Sequence, residues 1–334
     1  MFSYWLHKRD EKGRNLIKFL QGDVFDKIKE LEDNSIDCVV TSPPYWGLRD
    51  YGVSGQLGLE PTYQEHIQNI VELFRVIKLK LKDSATVWLN YGDSYAATIN
   101  GTKVKDMKKN GFGRKGDDRA FVDKPFSTIQ GSLKPKDLVM IPNRIAIALQ
   151  DDGWWIRSEI IWHKPNPMPE STKDRPTSCH EKIWLITKSK KYYYDADAIK
   201  ERCKTTNNNL RGTFRGGGNY VNNNSFNNSS NKNTTDKGVE KKTASLKNKR
   251  NVWTIATKPF KDAHFATFPK DLIKPCIKAG CPERGVVLDP FGGSGTTGIV
   301  AVENNRDAIL IELNKEYIDI AKKRIYKELG LFNT

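Results

Sequence analysis

Ile36-Asp37-Cys38-Val39-Val40-Thr41-Ser42-Pro43-Pro44-Tyr45-Trp46 is an apolar run that ends in a double proline. Residues 36–40 have the length and composition of a short buried strand. The strand cannot run on, nor can a helix start here. Each proline fixes its own φ, removes a backbone donor and restricts the residue before it. The stretch predicts a stiff turn at the C-terminal edge of a strand. That turn presents the Ser42 hydroxyl, backbone carbonyls without neighbouring N–H groups, and the Tyr45 ring.

Upstream, residues 16–20 read as a strand closed by Gln21-Gly22-Asp23, and residues 24–31 as a short helix. Residues 1–15 are mixed and peripheral. A carboxylate after a glycine at a strand end is well placed to meet a ligand, and Asp23 reads equally as a turn aspartate. Downstream, residues 47–59 form a glycine-rich mobile loop with Arg49 and Asp50. Ile67, Ile70, Val71, Phe74 and Ile77 then share one face of a helix over 63–81. A strand over 86–90 leads into Tyr91-Gly92-Asp93-Ser94-Tyr95. Residues 138–150 read as a helix and 154–162 as a strand, while 182–187 and 191–195 read as the two strands of a hairpin.

Two segments break the pattern. Residues 99–126 lack periodicity and carry Arg114, Lys115 and Arg119, which suits a basic flap or a disordered insertion. Residues 201–250 hold Asn207-Asn208-Asn209 and Gly216-Gly217-Gly218, with too few apolar groups to offset chain entropy. They read as a linker, or as an insertion whose Arg and Asn side chains meet base edges. Ordered chain resumes at Asn251-Val252-Trp253, followed by a helix over 264–279.

A second motif closes the chain. Val286-Val287-Leu288 reads as a buried strand. It runs into Asp289-Pro290-Phe291-Gly292-Gly293-Ser294-Gly295-Thr296-Thr297 and a small-residue helix over 298–302. Glycines at a helix N-terminus let a ligand approach the backbone. The next strand, 307–312, ends at Glu312, where an acid can accept two ribose hydroxyls. An amphipathic helix follows over 315–329.

The Ser-Pro-Pro-Tyr turn suits methylation of an exocyclic base amine. The amine's lone pair is delocalised into its ring. Two fixed acceptors, Ser42 Oγ and the Pro43 carbonyl, would take its hydrogens, localise the lone pair and aim it at an electrophilic methyl group. Tyr45 could stack on an extruded base, with Trp46 lining the pocket. Catalysis would be positioning and electrostatics.

On these residues the chain resembles the amino-methylating, S-adenosyl-L-methionine-dependent DNA methyltransferases. Thr-Ser-Pro-Pro-Tyr looks like the cytosine-N4 form of their catalytic motif, and Asp-Pro-Phe-x-Gly-Ser-Gly-Thr-Thr like their methyl-donor motif. Catalytic motif first, recognition region next and donor motif last is similar to the family's beta order. The resemblance implies a Rossmann-like α/β fold, a mixed and mostly parallel sheet with helices on both faces. It implies a catalytic domain over 1–198 and 253–334, interrupted by a largely flexible target-recognition insertion over 199–252. It implies that Ser42, Pro43, Pro44 and Tyr45 hold the target amine. Asp23, Thr41, Asp289, Pro290, Phe291, Gly293, Ser294, Gly295, Thr296 and Glu312 would then meet the donor. The expected function is cytosine-N4 methylation of double-stranded DNA by base flipping, in a restriction–modification system. A cognate restriction endonuclease and a homodimer stay open, and adenine-N6 methylation stays the alternative.

Lys and Arg number 55 against 40 Asp and Glu, and a formal charge of +15 favours a polyanion partner. The cysteines number 5 and are scattered, as in a reducing compartment. No signal peptide and no membrane-length apolar run is evident, so a cytoplasmic protein is expected. Gly293, Gly295 and Gly298 also spell the dinucleotide fingerprint, which would suit a nicotinamide oxidoreductase. That reading leaves the Asp-Pro-Phe lead-in and the Ser-Pro-Pro-Tyr strand unexplained, and an acid at the strand end repels phosphate. A non-catalytic DNA-binding module explains the charge but not two intact motifs. Cytosine-C5 chemistry would need a thiolate, and Cys276 falls on an apolar helix face. No zinc-ligand spacing occurs, and no metal is expected.

Overall fold

The computed structural model describes residues 3–5, 16–98, 122–202, 246–258 and 268–329. The chain falls into two compact units, Met1–Ile199 with Arg250–Thr334, and Lys200–Lys249. In chain order the strands are β1 (Ser3–Trp5), β2 (Ile17–Gln21), β3 (Ile36–Thr41), β4 (Arg49–Asp50), β5 (Leu81–Tyr91), β6 (Val122–Asp123), β7 (Trp155–His163), β8 (His180–Thr187), β9 (Glu201–Arg202), β10 (Leu246–Lys247), β11 (Val252–Thr254), β12 (Val286–Asp289) and β13 (Asp307–Glu312). The helices are α1 (Val24–Lys29), α2 (Tyr63–Lys80), α3 (Ile141–Asp151), α4 (Lys270–Gly280), α5 (Thr296–Glu303) and α6 (Lys315–Glu328).

The first unit is built on a 9-stranded sheet of order β1-β2-β13-β12-β3-β5-β8-β7-β11. From β2 to β5 all neighbours are parallel, and β8 pairs antiparallel with both β5 and β7. Alternation along the strands explains the layers, because successive side chains point to opposite faces. Leu20, Val39, Leu288 and Ile311 face a core shared with α1, α2 and α3. Their neighbours Phe19, Cys38, Val40, Val287 and Leu310 face a core shared with α4, α5 and α6. Both faces are covered, and every residue of β3 is buried.

Side chains close the helix ends that set the loop geometry. Asp23 Oδ1 accepts from the Phe25 amide at 2.9 Å and Thr62 Oγ1 from the Glu65 amide at 3.1 Å, starting α1 and α2. The expected helix over 264–279 is seen as Lys270–Gly280, and residues 259–267 lie outside the described chain.

One expectation is overturned. Residues 191–195 are not a strand of a hairpin, and β8 pairs instead with the distant β7 and β5. The aromatic run crosses the sheet end, with the Tyr193 amide donating to Ser84 O at 2.8 Å and the Asp195 amide to Ala279 O at 2.9 Å. Tyr194 stacks over Trp88 at 6.5 Å. The expected basic flap over 99–126 lies mostly outside the described residues; its end includes β6, which pairs with β4. In the second unit β9 and β10 pair antiparallel, residues 203–245 of the expected insertion lie outside the described residues, and its last residue, Val252, belongs to β11 of the large sheet. Among the described residues no helix is long and apolar enough to cross a membrane, and no cluster of three or more His, Cys, Asp or Glu side chains could hold a metal ion.

Candidate active site

The parallel strands end on one edge of the sheet. There β2, β3, β5, β12 and β13, or the residues just after them, line a cavity of about 530 Å³. That is the size of a small-molecule site, at the strand ends where open α/β sheets bind ligands. Asp23, Ser42, Pro43, Pro44, Tyr45, Pro290, Phe291, Gly293, Ser294 and Glu312 all line it. Of the residues expected at the donor, Thr41, Asp289, Gly295 and Thr296 sit behind this wall.

β3 and β12 lie side by side, so the two motifs meet although they are far apart in sequence. Thr41 Oγ1 donates to Asp289 Oδ1 at 2.8 Å. Asp289 also accepts from Thr297 Oγ1 at 2.5 Å and from the Phe291 amide at 3.1 Å. Its carboxylate is buried, and that burial lifts its pKa from 3.8 to about 6 against the pull of the hydroxyl and amide donors. Asp289 thus acts on the cavity by holding the loop that lines it.

Glu312 works at the cavity wall. Its two carboxylate oxygens accept the Gly293 amide at 2.9 Å and the Asn314 amide at 2.8 Å. Burial raises its pKa while these amides lower it, and burial wins. Arg324, from α6, donates to Ser294 Oγ at 2.9 Å and Thr296 Oγ1 at 2.7 Å, anchoring the loop from behind. Gly295 starts α5 with φ +76°, a left-handed turn that an L side chain rarely adopts.

The Ser-Pro-Pro-Tyr turn is held by a different set. Trp46 does not line the cavity; it is 1% exposed, with its indole donating to Glu60 O at 2.9 Å. Its large apolar ring is worth more in the core, edge-on to Tyr63 and Phe126. The Trp46 amide donates to Tyr91 Oη at 2.8 Å, and His66 links Tyr91 to Glu60 at 2.8 Å on each ring nitrogen. Tyr91 also covers one face of the Tyr45 ring, with centroids 4.4 Å apart.

The polar floor of the cavity was not evident from the sequence. Ser42 Oγ donates to Tyr45 Oη at 3.3 Å, and Tyr45 Oη donates to Glu181 Oε2 at 2.8 Å. Asn90 Nδ2 reaches the same oxygen at 3.0 Å, and Lys164 Nζ ion-pairs with the other. Burial, and then the Glu181 charge, raise the Tyr45 pKa well above 10.0, so its hydroxyl stays protonated. Glu181, Asn90 and Lys164 all line the cavity. An acid one residue before the apolar run 182–187 was the available signal.

A strand-edge cavity thus joins the Ser-Pro-Pro-Tyr turn to a glycine loop. The family model described as DNA methylase, of the N6/N4 type, matches residues 36–323. The chain belongs to the DNA methylase family. Among its relatives are the Type II methyltransferases M.SmaI of Serratia marcescens, 44% identical over 95% of this chain and 93% of that one, and M.Cfr9I of Citrobacter freundii, 42% identical over 97% and 92%. The PvuII cytosine-N4-specific DNA methyltransferase shares the fold with a TM-score of 0.59 at 18% identity, covering 95% of this chain and 92% of that one. A putative DNA modification methylase of Thermus thermophilus, solved with S-adenosyl-L-methionine, does so with a TM-score of 0.51 at 19% identity, covering 94% and 96%.

The methylase's cavity is of mixed charge: Asp23, Glu181 and Glu312 bring carboxylates, Arg49, Lys164 and Lys258 bring cationic groups, and Pro290, Phe291 and Tyr317 bring apolar surface. Close packing at Gly92 keeps the methylase's floor in place. A Cβ there would come within 2.7 Å of the Tyr45 ring and 3.2 Å of the Glu181 carboxyl carbon. Gly92→Ala is therefore expected to lower turnover roughly 10²-fold while leaving S-adenosylmethionine affinity intact. Steady-state methylation and calorimetry check both; full turnover would show that the floor tolerates displacement.

Proposed function

We propose that the protein is a cytosine-N4 DNA methyltransferase that takes its methyl group from S-adenosylmethionine and acts on a base turned out of the duplex. The observation that carries this reading is the Ser42 hydroxyl lining the cavity with its proton directed to Tyr45. Its lone pairs are then left to accept from an amine. The Pro43 carbonyl, followed by a proline without N–H, is the second acceptor. Together they take both amine hydrogens and localise the nitrogen lone pair. Tyr91 covers one face of Tyr45, and the base stacks on the other.

When bound, S-adenosylmethionine supplies an electrophilic methyl group on a sulfonium. Glu312, Asp23 and the Gly293 loop hold it, with Asp289, Thr41 and Arg324 fixing that loop. Reading of base edges falls to residues 199–252, and a cognate restriction endonuclease is the expected partner. The Type II names of the relatives support that assignment.

Incubation with S-adenosylmethionine and unmethylated DNA of mixed sequence, digestion to nucleosides and mass spectrometry test the reading. N4-methylcytosine is the expected product. N6-methyladenine instead would keep the amine clamp and overturn the base assignment.

A further inference from the structure

We propose that Glu181 is the positioning residue that sets the direction of the Ser42 hydroxyl, through Tyr45, and the terminal acceptor for the proton released by the methylated amine. This rests on the amine-methylating reading above.

A serine hydroxyl differs from a carboxylate or amide oxygen in one respect: it carries a proton that can point the wrong way. If Ser42 aims its proton at the target amine, two donors face each other and the clamp fails. Something must hold that proton elsewhere. Tyr45 Oη is the acceptor, at 3.3 Å. A phenol can serve as acceptor reliably only when its own proton is committed, and here it is committed to Glu181 Oε2 at 2.8 Å. Among the described residues the carboxylate's hydrogen-bond and ion-pair partners are donors: Tyr45, Asn90 Nδ2 and the Lys164 ammonium. Facing those donors, it sets the direction of the whole row, from Ser42 to Tyr45 to Glu181.

The same row conducts a proton. The amine nitrogen uses its lone pair to form the new N–C bond, and the S–C bonding pair stays with sulfur. The nitrogen then holds one proton too many. That proton passes to Ser42 Oγ as Ser42's own proton passes to Tyr45 Oη and Tyr45's to Glu181. Both hydroxyls end neutral and the carboxylate ends protonated. The Glu181 side chain is 16% exposed, so it exchanges that proton with water.

Tyr45→Phe, Glu181→Gln and the double variant test this. Phenylalanine keeps the ring on Tyr91 and removes one oxygen. Glutamine turns one acceptor into a donor, and facing Tyr45 it would reverse the row. Each single change is expected to lower kcat about 10²-fold on unmethylated DNA, with donor affinity by calorimetry and KM for DNA within about threefold. The double variant is expected to be no slower than the slower single, because both break one chain. If Glu181→Gln fails to fold, Tyr45→Phe carries the test alone. A kcat within about threefold of the parent in Tyr45→Phe, or multiplicative losses in the double variant, would overturn the proposal. Absence of any amino-methylated nucleoside with the parent enzyme would instead overturn the reading beneath it.

Discussion

Ser42→Ala is expected to lower DNA methylation by ~10²–10³-fold, the usual loss when one preorganised group at a reacting centre is removed. S-adenosylmethionine should still bind the variant with the parent's affinity. The separation follows from the connections. Among the described residues Ser42 Oγ bonds only toward Tyr45, on the floor of the cavity, whereas the glycine loop is held by Asp289, Glu312 and Arg324. Alanine fits the same backbone, so the double proline and the Pro43 carbonyl stay in place. One of two acceptors is lost, and the amine keeps its lone pair in the ring. Turnover of radiolabelled donor into DNA and calorimetry of donor binding give the two numbers. Undiminished turnover would remove Ser42 from the clamp; a parallel fall in donor affinity would show that the two halves of the cavity are not independent.

The parts of this site that the sequence reveals are those in which local chemistry is unusual. A strand that ends in Ser-Pro-Pro-Tyr has few structural fates, and a glycine loop between a strand and a small-residue helix has few more. Strand period and helix period also fix the layers, since Val39 and Cys38 face opposite cores. What stays hidden is long-range pairing. β5 begins at Leu81, five residues before its apolar run, because exposed Asp83 and Ser84 mask the strand pattern. Glu181 joins Tyr45 from 136 positions away, and no window of sequence contains both. The tyrosine run 192–194 has strand composition, yet it forms no strand and its Tyr194 ring stacks over Trp88. Trp46 shows the converse: beside a catalytic motif its ring reads as pocket lining, while burial in the α2-side core decides its place. Asp289 was expected to touch the donor, and its three internal hydrogen bonds give it the work of a bracket.

That bracket makes Asp289 the position where stability and binding are most closely joined. Its carboxylate ties the end of β3, through Thr41, to the Phe291 amide and to Thr297 at the start of α5. Asp289→Ala leaves those buried donors without an acceptor, at a cost of about 3 kcal/mol. The loop bearing Phe291 and Gly293 loosens with it, so donor affinity is expected to fall at least about 10-fold, equal to ~1.4 kcal/mol. Unchanged affinity would free the loop from its bracket. Asp289→Asn separates charge from shape. Burial raises the folded pKa from 3.8 to about 6, so between those values the folded chain binds more protons than the unfolded one. Stability from this group is therefore complete below pH 3.8 and is lost as pH rises through about 6. The shift corresponds to about 3 kcal/mol. The asparagine variant has no such titration. Its stability relative to the parent is expected to improve by most of that amount, roughly 2.4 kcal/mol, between pH 4 and pH 7, because the other carboxylates cancel in the comparison. Urea unfolding of both proteins across that range measures the difference; two curves that stay parallel would mean that the buried carboxylate is not the group that titrates.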